Sequence, residues 1–337
     1  MKKEALLYNK LPHGEVQCHT CQRRCTIAEG KMGWCLTRVN ESGVLYSLIY
    51  GEVSSLSINP IEKKPVFHFY PGSKWLSLGS WGCNFRCPSC QNWEIAHWEG
   101  ERFKETYYLS PIDQVKMALN HKCTGLSWTF NEPTLWFEYT LDTAKFAKER
   151  GLYTNYVTNG FITEEALALL SPYLDIYRVD IKGFSTEAYQ RIAHLTDFNG
   201  ILKSAEKAIH YGIHLEVVTN IIPRLNDDEQ QLRGIASWIK NTLGEDTPWH
   251  VTRFYPHLSQ LNPTQVSILE HAREIGVNSG LRYVYIGNIA GHEAENTYCH
   301  NCGILLIKRD VYDILENRVK DGHCPQCRIK IPGRFKE

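Results

Sequence analysis

Between residues 73 and 290 the sequence predicts an α/β fold, because short β-rich runs recur there and a longer helical pattern separates most of them. The candidate strands are 75–80 (WLSLGS), 125–130 (GLSWTF), 153–159 (YTNYVTN), 175–182 (DIYRVDIK), 214–222 (HLEVVTNII), 249–254 (WHVTRF) and 281–288 (LRYVYIGN). Ser110-Pro111 opens a helix with a capping hydroxyl and a proline at the first position, and Asn262-Pro263 opens another in the same way. Asn226, Asp227 and Asp228 place capping side chains before EQQLRGIASWIK. Such βα units build either a full or partial barrel or an open doubly wound sheet. In both, the chemistry gathers at the C-terminal ends of the strands.

Residues 1–72 read as a cysteine-rich extension, in which VLYSLIYGEVSSLSI (44–58) alternates as a small β element. Residues 291–337 read as a zinc-ribbon-like segment. The 337 residues, 43% of them hydrophobic, suffice for one large domain with such appendages. Lys+Arg and Asp+Glu are each 37, so no charge excess points to nucleic acid or an anionic membrane. The first residues lack an apolar core of export-signal length, and no run of about 18 uncharged apolar residues follows. The expectation is a cytoplasmic protein.

In that setting the 12 cysteines read as reduced, metal-binding thiols. All but Cys123 fall in three groups. Cys299, Cys302, Cys324 and Cys327 form two C-x2-C knuckles, the pattern of a tetrahedral zinc site. Cys18, Cys21, Cys25 and Cys35 supply enough ligands to close a site, and zinc or an auxiliary 4Fe-4S cluster both suit them. Cys83, Cys87 and Cys90 follow the first strand as C-x3-C-x2-C and stop at three. A 4Fe-4S cluster on three cysteines leaves one iron open to a ligand in the mouth of the sheet, whereas a zinc reading needs His97 or a distant cysteine.

WGCNFRCPSC, with FNEPT at the next strand end, resembles the radical S-adenosylmethionine (radical SAM) superfamily, in the branch that contains the pyruvate formate-lyase activating enzyme. The resemblance implies a partial (β/α)6-type TIM barrel, with Cys83, Cys87 and Cys90 on the cluster. It also implies that SAM is met by Asn131 and Glu132 (FNEPT), Thr158 and Asn159 (YVTNG), Asp180 and Lys182 (VDIKG) and His257 (FYPH). Read without the family, Asp180 and Lys182 are an ion pair on one strand face. Radical SAM motifs usually carry an aromatic residue before the last cysteine. Here that position is Ser89, and Phe85, Trp81 and Trp93 are the aromatic residues near it.

CHTCQRRCTIAEGKMGWC, NPIEKKPVFHFYPGS, GCNFRCPSCQNWEIA and ENRVKDGHCPQC extend the likeness over the whole chain, to the radical SAM member of the AmmeMemoRadiSam group. What this implies is one-electron cleavage of SAM to methionine and a 5'-deoxyadenosyl radical, with no side chain acting as acid or base. It further implies a low-potential donor such as ferredoxin or flavodoxin, and Memo-like and AMMECR-like partners. The other readings are a glycyl-radical enzyme activase and a non-catalytic zinc-binding adaptor.

Overall fold

The computed structural model describes residues 1–97 and 106–335. The strands of the main sheet are β1 (Ser55–Pro60), β2 (Lys74–Gly79), β3 (Gly125–Trp128), β4 (Tyr153–Thr158), β5 (Ile176–Asp180), β6 (His214–Ile221), β7 (Trp249–Arg253) and β8 (Val284–Gly287). The chain divides into two compact units, with one boundary inside β5. Unit 1 is Met1–Ile58, Trp75–Tyr177 and Asp197–Ile213; unit 2 is Asn59–Lys74, Arg178–Thr196 and His214–Glu337.

In unit 1 the sheet runs β1-β2-β3-β4-β5, with β3 parallel to both β2 and β4. In unit 2 the end of β5 is followed by β6-β7-β8, with β7 parallel to both β6 and β8. Within each unit, neighbours in the sheet are neighbours in sequence. The order reversal that defines a doubly wound sheet does not occur, so the barrel-type succession holds. Register in unit 1 is pinned where Gly125 lies between Trp75 and Tyr153. A Cβ on Gly125 would stand 2.5 Å from the Trp75 ring and 2.4 Å from the Tyr153 carbonyl oxygen, so only glycine fits under that indole.

The helices Pro111–Asn120 and Glu229–Trp238 begin at the expected caps: Ser110 accepts from the Asp113 N–H and Asp228 from the Gln231 N–H. Asn262-Pro263 does not open a helix; the helix is Val266–Asn278, preceded by Gln265. The reason is Thr264, whose hydroxyl donates to the Ile221 carbonyl and accepts from the Phe254 N–H, while its own carbonyl accepts from Arg253 Nε. Those bonds tie the segment to strand ends and hold it out of a helix.

Residues 1–47 form two small antiparallel sheets in unit 1, one from Lys3–Glu4, Arg38–Glu41 and Val44–Ser47, the other from Tyr8–Lys10, Val16–Cys18 and Thr26–Ile27. Their anchor is the buried pair Arg38–Glu138, which is bidentate at 3.0 and 2.8 Å. Glu138 also accepts from the Leu6 N–H. The segment after Cys18 is stitched to the end of β4: Gln22 bonds Phe161 and Ile162, Thr163 bonds the His19 carbonyl, and Arg24 pairs with Glu165.

Unit 2 is organised by Glu216 on β6, which is completely buried. Its carboxylate accepts from the Phe67 and His68 N–H groups, and His214 Nε2 and His250 Nε2 lie 2.9 and 2.6 Å from it. Burial opposes ionisation of Glu216, but the two imidazoles overcome that and hold its carboxyl well below the usual range. Residues 297–298, 305–310 and 313–317 close unit 2 as a three-stranded antiparallel sheet. Among the described residues, no helix is long and apolar enough to cross a membrane.

Glu216→Gln places an amide nitrogen against these donors and is expected to cost about 3–5 kcal/mol, read as a lowered urea midpoint. Because the folded carboxyl is depressed, its contribution is complete above the unfolded pKa and is lost as pH falls through the folded one. The wild-type protein therefore loses stability on acidification by a term that the Gln variant lacks, and parallel pH profiles of the two would count against this account.

Candidate functional site

The loop after β2 is held open by amide chemistry. Asn131, at the end of β3, accepts from the Ser80 N–H at 2.9 Å and donates to the Gly82 carbonyl at 3.0 Å. Gly82 takes φ +80, and a Cβ there would meet Thr37 Cγ2 at 2.7 Å and the Cys35 carbonyl at 2.9 Å. The loop thus turns over the N-terminal segment with no room for a side chain. Cys83, Cys87 and Cys90 follow, each partly buried. The Phe85 N–H donates to Cys83 Sγ at 3.3 Å, and Asn159 Nδ2 lies 3.8 Å from the same sulfur. N–H donors around a sulfur suit a metal-bound thiolate, and three thiols with no fourth close behind suit a cluster with one open iron. Burial and the nearby Glu132 push the free Cys83 thiol up, so it is the metal that would hold it as a thiolate.

Glu132 lies four residues past the end of β3 and is 2% exposed. Its Oε1 accepts from the Thr134 N–H at 3.0 Å, the Thr134 hydroxyl at 2.6 Å and the Thr158 hydroxyl at 2.7 Å. Among the described residues, its Oε2 accepts only from the Asn159 N–H, at 2.8 Å. Burial raises the Glu132 carboxyl, and these donors oppose it without cancelling it. The carboxylate therefore joins the ends of β3 and β4 and leaves Oε2 with unused acceptor capacity. Asn159 continues the chain of contacts, donating at 2.7 Å to Asn84 Oδ1 beside Cys83. Thr158 and Asn159 are both buried.

So Cys83, Cys87, Cys90, Asn131, Glu132, Thr158 and Asn159 lie in unit 1, clustered at the ends of β2, β3 and β4. Asp180, Lys182 and His257 lie in unit 2. Asp180 pairs with Arg178 and, at 3.2 Å, with Lys182; burial would raise its carboxyl, but these cations hold it low. His257 is exposed in the loop after β7. Of the aromatic residues near Ser89, Phe85 is buried against Phe161 at 5.4 Å between ring centres, and Trp93 is 41% exposed.

The C-terminal cysteines meet in an arrangement that could hold a metal ion. Cys299 and Cys327 sulfurs are 3.6 Å apart, Cys302 and Cys324 3.7 Å, and all four lie within 4.8 Å of one another. A tetrahedron with metal–sulfur bonds of about 2.3 Å separates its sulfurs by about 3.8 Å. Turns help to present them: Gly303 N–H bonds the Cys299 carbonyl and Arg328 N–H the Cys324 carbonyl, both residues at positive φ. Leu306, Ile307, Val319 and Ile331 pack beneath.

Sequence reasoning missed Arg38, Glu138, Asn84 and Glu216. Asn84 alone carried a local signal, by adjoining Cys83; the others are recognisable only through partners distant in the chain.

A parallel βα sheet with a three-cysteine loop after a strand and a buried carboxylate just past the next strand is an α/β arrangement whose donor set suits a cluster with one open iron. The family profile described as Radical SAM superfamily matches residues 80–239, which include that loop and the ends of β3 and β4. An uncharacterized protein of Methanocaldococcus jannaschii is 42% identical over 335 residues, 98% of each chain. The pyruvate formate-lyase-activating enzyme of Clostridium pasteurianum is 27% identical over 165 residues, 48% of this chain and 67% of its own. A radical SAM methyltransferase from Sphaerobacter thermophilus shares the fold at TM-score 0.51 and 13% identity, over 66% of this chain and 68% of that one. The chain belongs to the radical SAM superfamily.

Replacing Cys299 and Cys302 with alanine is expected to release one metal ion per chain and to raise amide exchange across 297–317, because metal binding there is folding free energy. Elemental analysis and hydrogen exchange read the two effects, and an unchanged metal content would remove the assignment.

Proposed function

We propose that the protein is a radical SAM enzyme whose cluster is held by Cys83, Cys87 and Cys90, with SAM as the ligand of the open iron. The observation that carries this reading is the chain of contacts from the Glu132 carboxylate through Asn159 to Cys83, which ties an anionic acceptor to the thiol loop. When bound, the cluster and SAM supply one-electron cleavage of the sulfonium, giving methionine and a 5'-deoxyadenosyl radical that abstracts hydrogen from a substrate. The chain's own residues bind and orient. Oε2 of Glu132 accepts from the SAM ammonium, Asn131 and Gly82 fix the loop, and Thr158 and Asn159 hold the carboxylate in place. Asp180, Lys182 and His257 are the further SAM contacts that the family resemblance implies. The C-terminal cysteines hold zinc as a structural ion, which their sulfur spacing supports.

We assign the enzyme to the AmmeMemoRadiSam type, acting in the cytoplasm with a ferredoxin- or flavodoxin-class donor and with Memo-like and AMMECR-like partners. The whole-chain motif resemblance supports this assignment. A second reading, activation of a glycyl-radical protein, is favoured by the name of a Methanocaldococcus jannaschii relative, a glycyl-radical enzyme activating enzyme by its description, 24% identical over 180 residues.

Two experiments test the reading. Glu132→Gln sets an amide against the Asn159 N–H or the SAM ammonium and removes a charge-assisted contact of about 1.5–3 kcal/mol. SAM affinity should then fall roughly 10- to 150-fold with iron content unchanged. Unaltered affinity in anaerobically reconstituted protein would sink the Glu132 assignment. The Cys83→Ala, Cys87→Ala, Cys90→Ala triple variant should lose about four irons and all formation of 5'-deoxyadenosine, while the reduced wild-type paramagnetic signal changes shape on adding SAM. Zinc on these three cysteines in protein isolated without oxygen would instead establish the adaptor reading.

A further inference from the structure

A cavity in unit 1 is lined by all four cysteines of the N-terminal group, Cys18, Cys21, Cys25 and Cys35, together with Arg23, Arg38 and Asn84. Cys18, Cys21 and Cys35 are buried and Cys25 half-buried. Among the described residues, the tight grouping of sulfurs within 4.8 Å occurs at the C-terminal cysteines and not at these four. The same chain therefore displays two arrangements of four thiols: one contracted to the size of a single tetrahedral ion, and one spread around a cavity. Thiolates on the four corners of a cubane cluster stand roughly 6 Å apart, well beyond the spacing that one zinc allows.

The polar atoms around the cavity add an independent observation. Arg38 is 2% exposed and Asn84 fully buried, yet Arg38 Nε and Asn84 Nδ2 have no hydrogen-bond partner, and neither does Arg23 Nη2. The rest of each side chain is engaged: Arg38 grips Glu138, Arg23 Nε donates to the Asn84 carbonyl at 2.6 Å, and Asn84 Oδ1 accepts from Asn159. Buried N–H groups left over beside four thiols call for an anionic acceptor with several sulfur lone pairs. A 4Fe-4S cluster on four thiolates is such an acceptor, with net charge of about −2 in its oxidised form, and its bridging sulfides take N–H bonds. The Thr37 hydroxyl already donates to Cys35 Sγ at 3.2 Å, and Arg23 stacks on Trp34 at 4.3 Å as a further positive charge on the wall.

We propose that Cys18, Cys21, Cys25 and Cys35 hold a second 4Fe-4S cluster, and that it exchanges single electrons with the cluster proposed at Cys83, Cys87 and Cys90. The second clause rests on the radical SAM reading; the first does not. Adjacency supports the exchange: Asn84 lines the cavity and directly follows Cys83, and the Cys35 carbonyl packs against Gly82 with no space for a Cβ. In the step, a low-potential one-electron donor of the ferredoxin or flavodoxin class reduces the second cluster from the 2+ to the 1+ core. That cluster returns to 2+ as the electron passes on, and the first cluster goes from 2+ to 1+. No proton or leaving group moves.

The test is metal analysis and electron paramagnetic resonance on the full chain, reconstituted and reduced without oxygen. The wild type should hold about eight irons and one zinc, with a signal broadened by coupling between two reduced clusters. The Cys83/Cys87/Cys90 alanine variant should keep about four irons and show a sharp 4Fe-4S signal indifferent to SAM. The variant with alanine at Cys18, Cys21, Cys25 and Cys35 should keep about four irons and a sharp signal that responds to SAM. About four irons and two zincs in the wild type, with those irons lost in the Cys83/Cys87/Cys90 variant, would overturn the second cluster, even if the quadruple variant fails to fold. Eight irons with two uncoupled signals would overturn the exchange alone. Four irons in the Cys83/Cys87/Cys90 variant, with none lost from the wild-type complement, would instead strike the radical SAM assignment of that loop.

Discussion

The buried carboxylate of Glu132 is the constraint on which the unit 1 site depends. Four donors converge on it from Thr134, Thr158 and Asn159, so the ends of β3 and β4 cannot separate without stranding an anion in a dry interior. Asn159, fixed by that contact, reaches Asn84 and the sulfur of Cys83. The thiol loop is thus positioned by strand ends, the most rigid elements nearby, and not by its own sequence. In the proposed reading the loop presents three thiols to a cluster and leaves one corner free, and it then needs this outside support, because a closed four-ligand site would supply it through the metal.

Two ways of holding sulfur follow from two kinds of surroundings. At the C-terminus the cysteines sit on short antiparallel strands with turns at positive φ, over a small apolar cluster, and the sulfurs contract to 3.6 and 3.7 Å. At the N-terminus the cysteines are spread over a strand end and the loops after it, and their wall includes Arg38, locked by Glu138 from the helix after β3. Ion pairs this buried contribute little net stability against apolar replacements, but removing one partner is costly. The Arg38–Glu138 pair therefore fixes where the N-terminal segment lies more than how firmly it folds.

Strands β2 to β8 were legible in the sequence as β-rich runs separated mostly by helical stretches, whereas β1 was read into the N-terminal extension, and it is the structure's order of neighbours within each unit that favours the barrel-type succession. Ser110 and Asp228 were legible as caps because capping is local: the donor is a backbone N–H three residues on. Asn262 failed as a cap for the opposite reason, since Thr264 bonds to Ile221 and Phe254, which are distant in sequence and invisible to a cap rule. The same limit hid Glu216, whose partners Phe67, His68 and His250 come from three other parts of the chain. Of the candidate site, the thiols and strand-end residues could be named from their order. What joins them, Glu132 to Asn159 to Asn84, could not, because nothing in the sequence marks which amide faces which.

Phe130 shows how the loop and the strand end are matched. It has φ +73, a conformation that is inexpensive for glycine and costs an aromatic residue on the order of 1–2 kcal/mol. Here that strained backbone carries a large side chain. The surroundings explain why it can. The Phe130 carbonyl accepts from Asn92 Nδ2 at 2.7 Å, and Asn92 lies two residues beyond Cys90. On the other side, Gly79 at the end of β2 leaves room, since a Cβ there would come within 3.0 Å of Phe130 Cβ. The strain is therefore stabilised from both ends of the cysteine loop. Any shift of Phe130 toward a relaxed φ would have to drag Asn92, and with it the turn that carries Cys90, so the geometry of the third thiol and that of Glu132 two residues after Phe130 are set together.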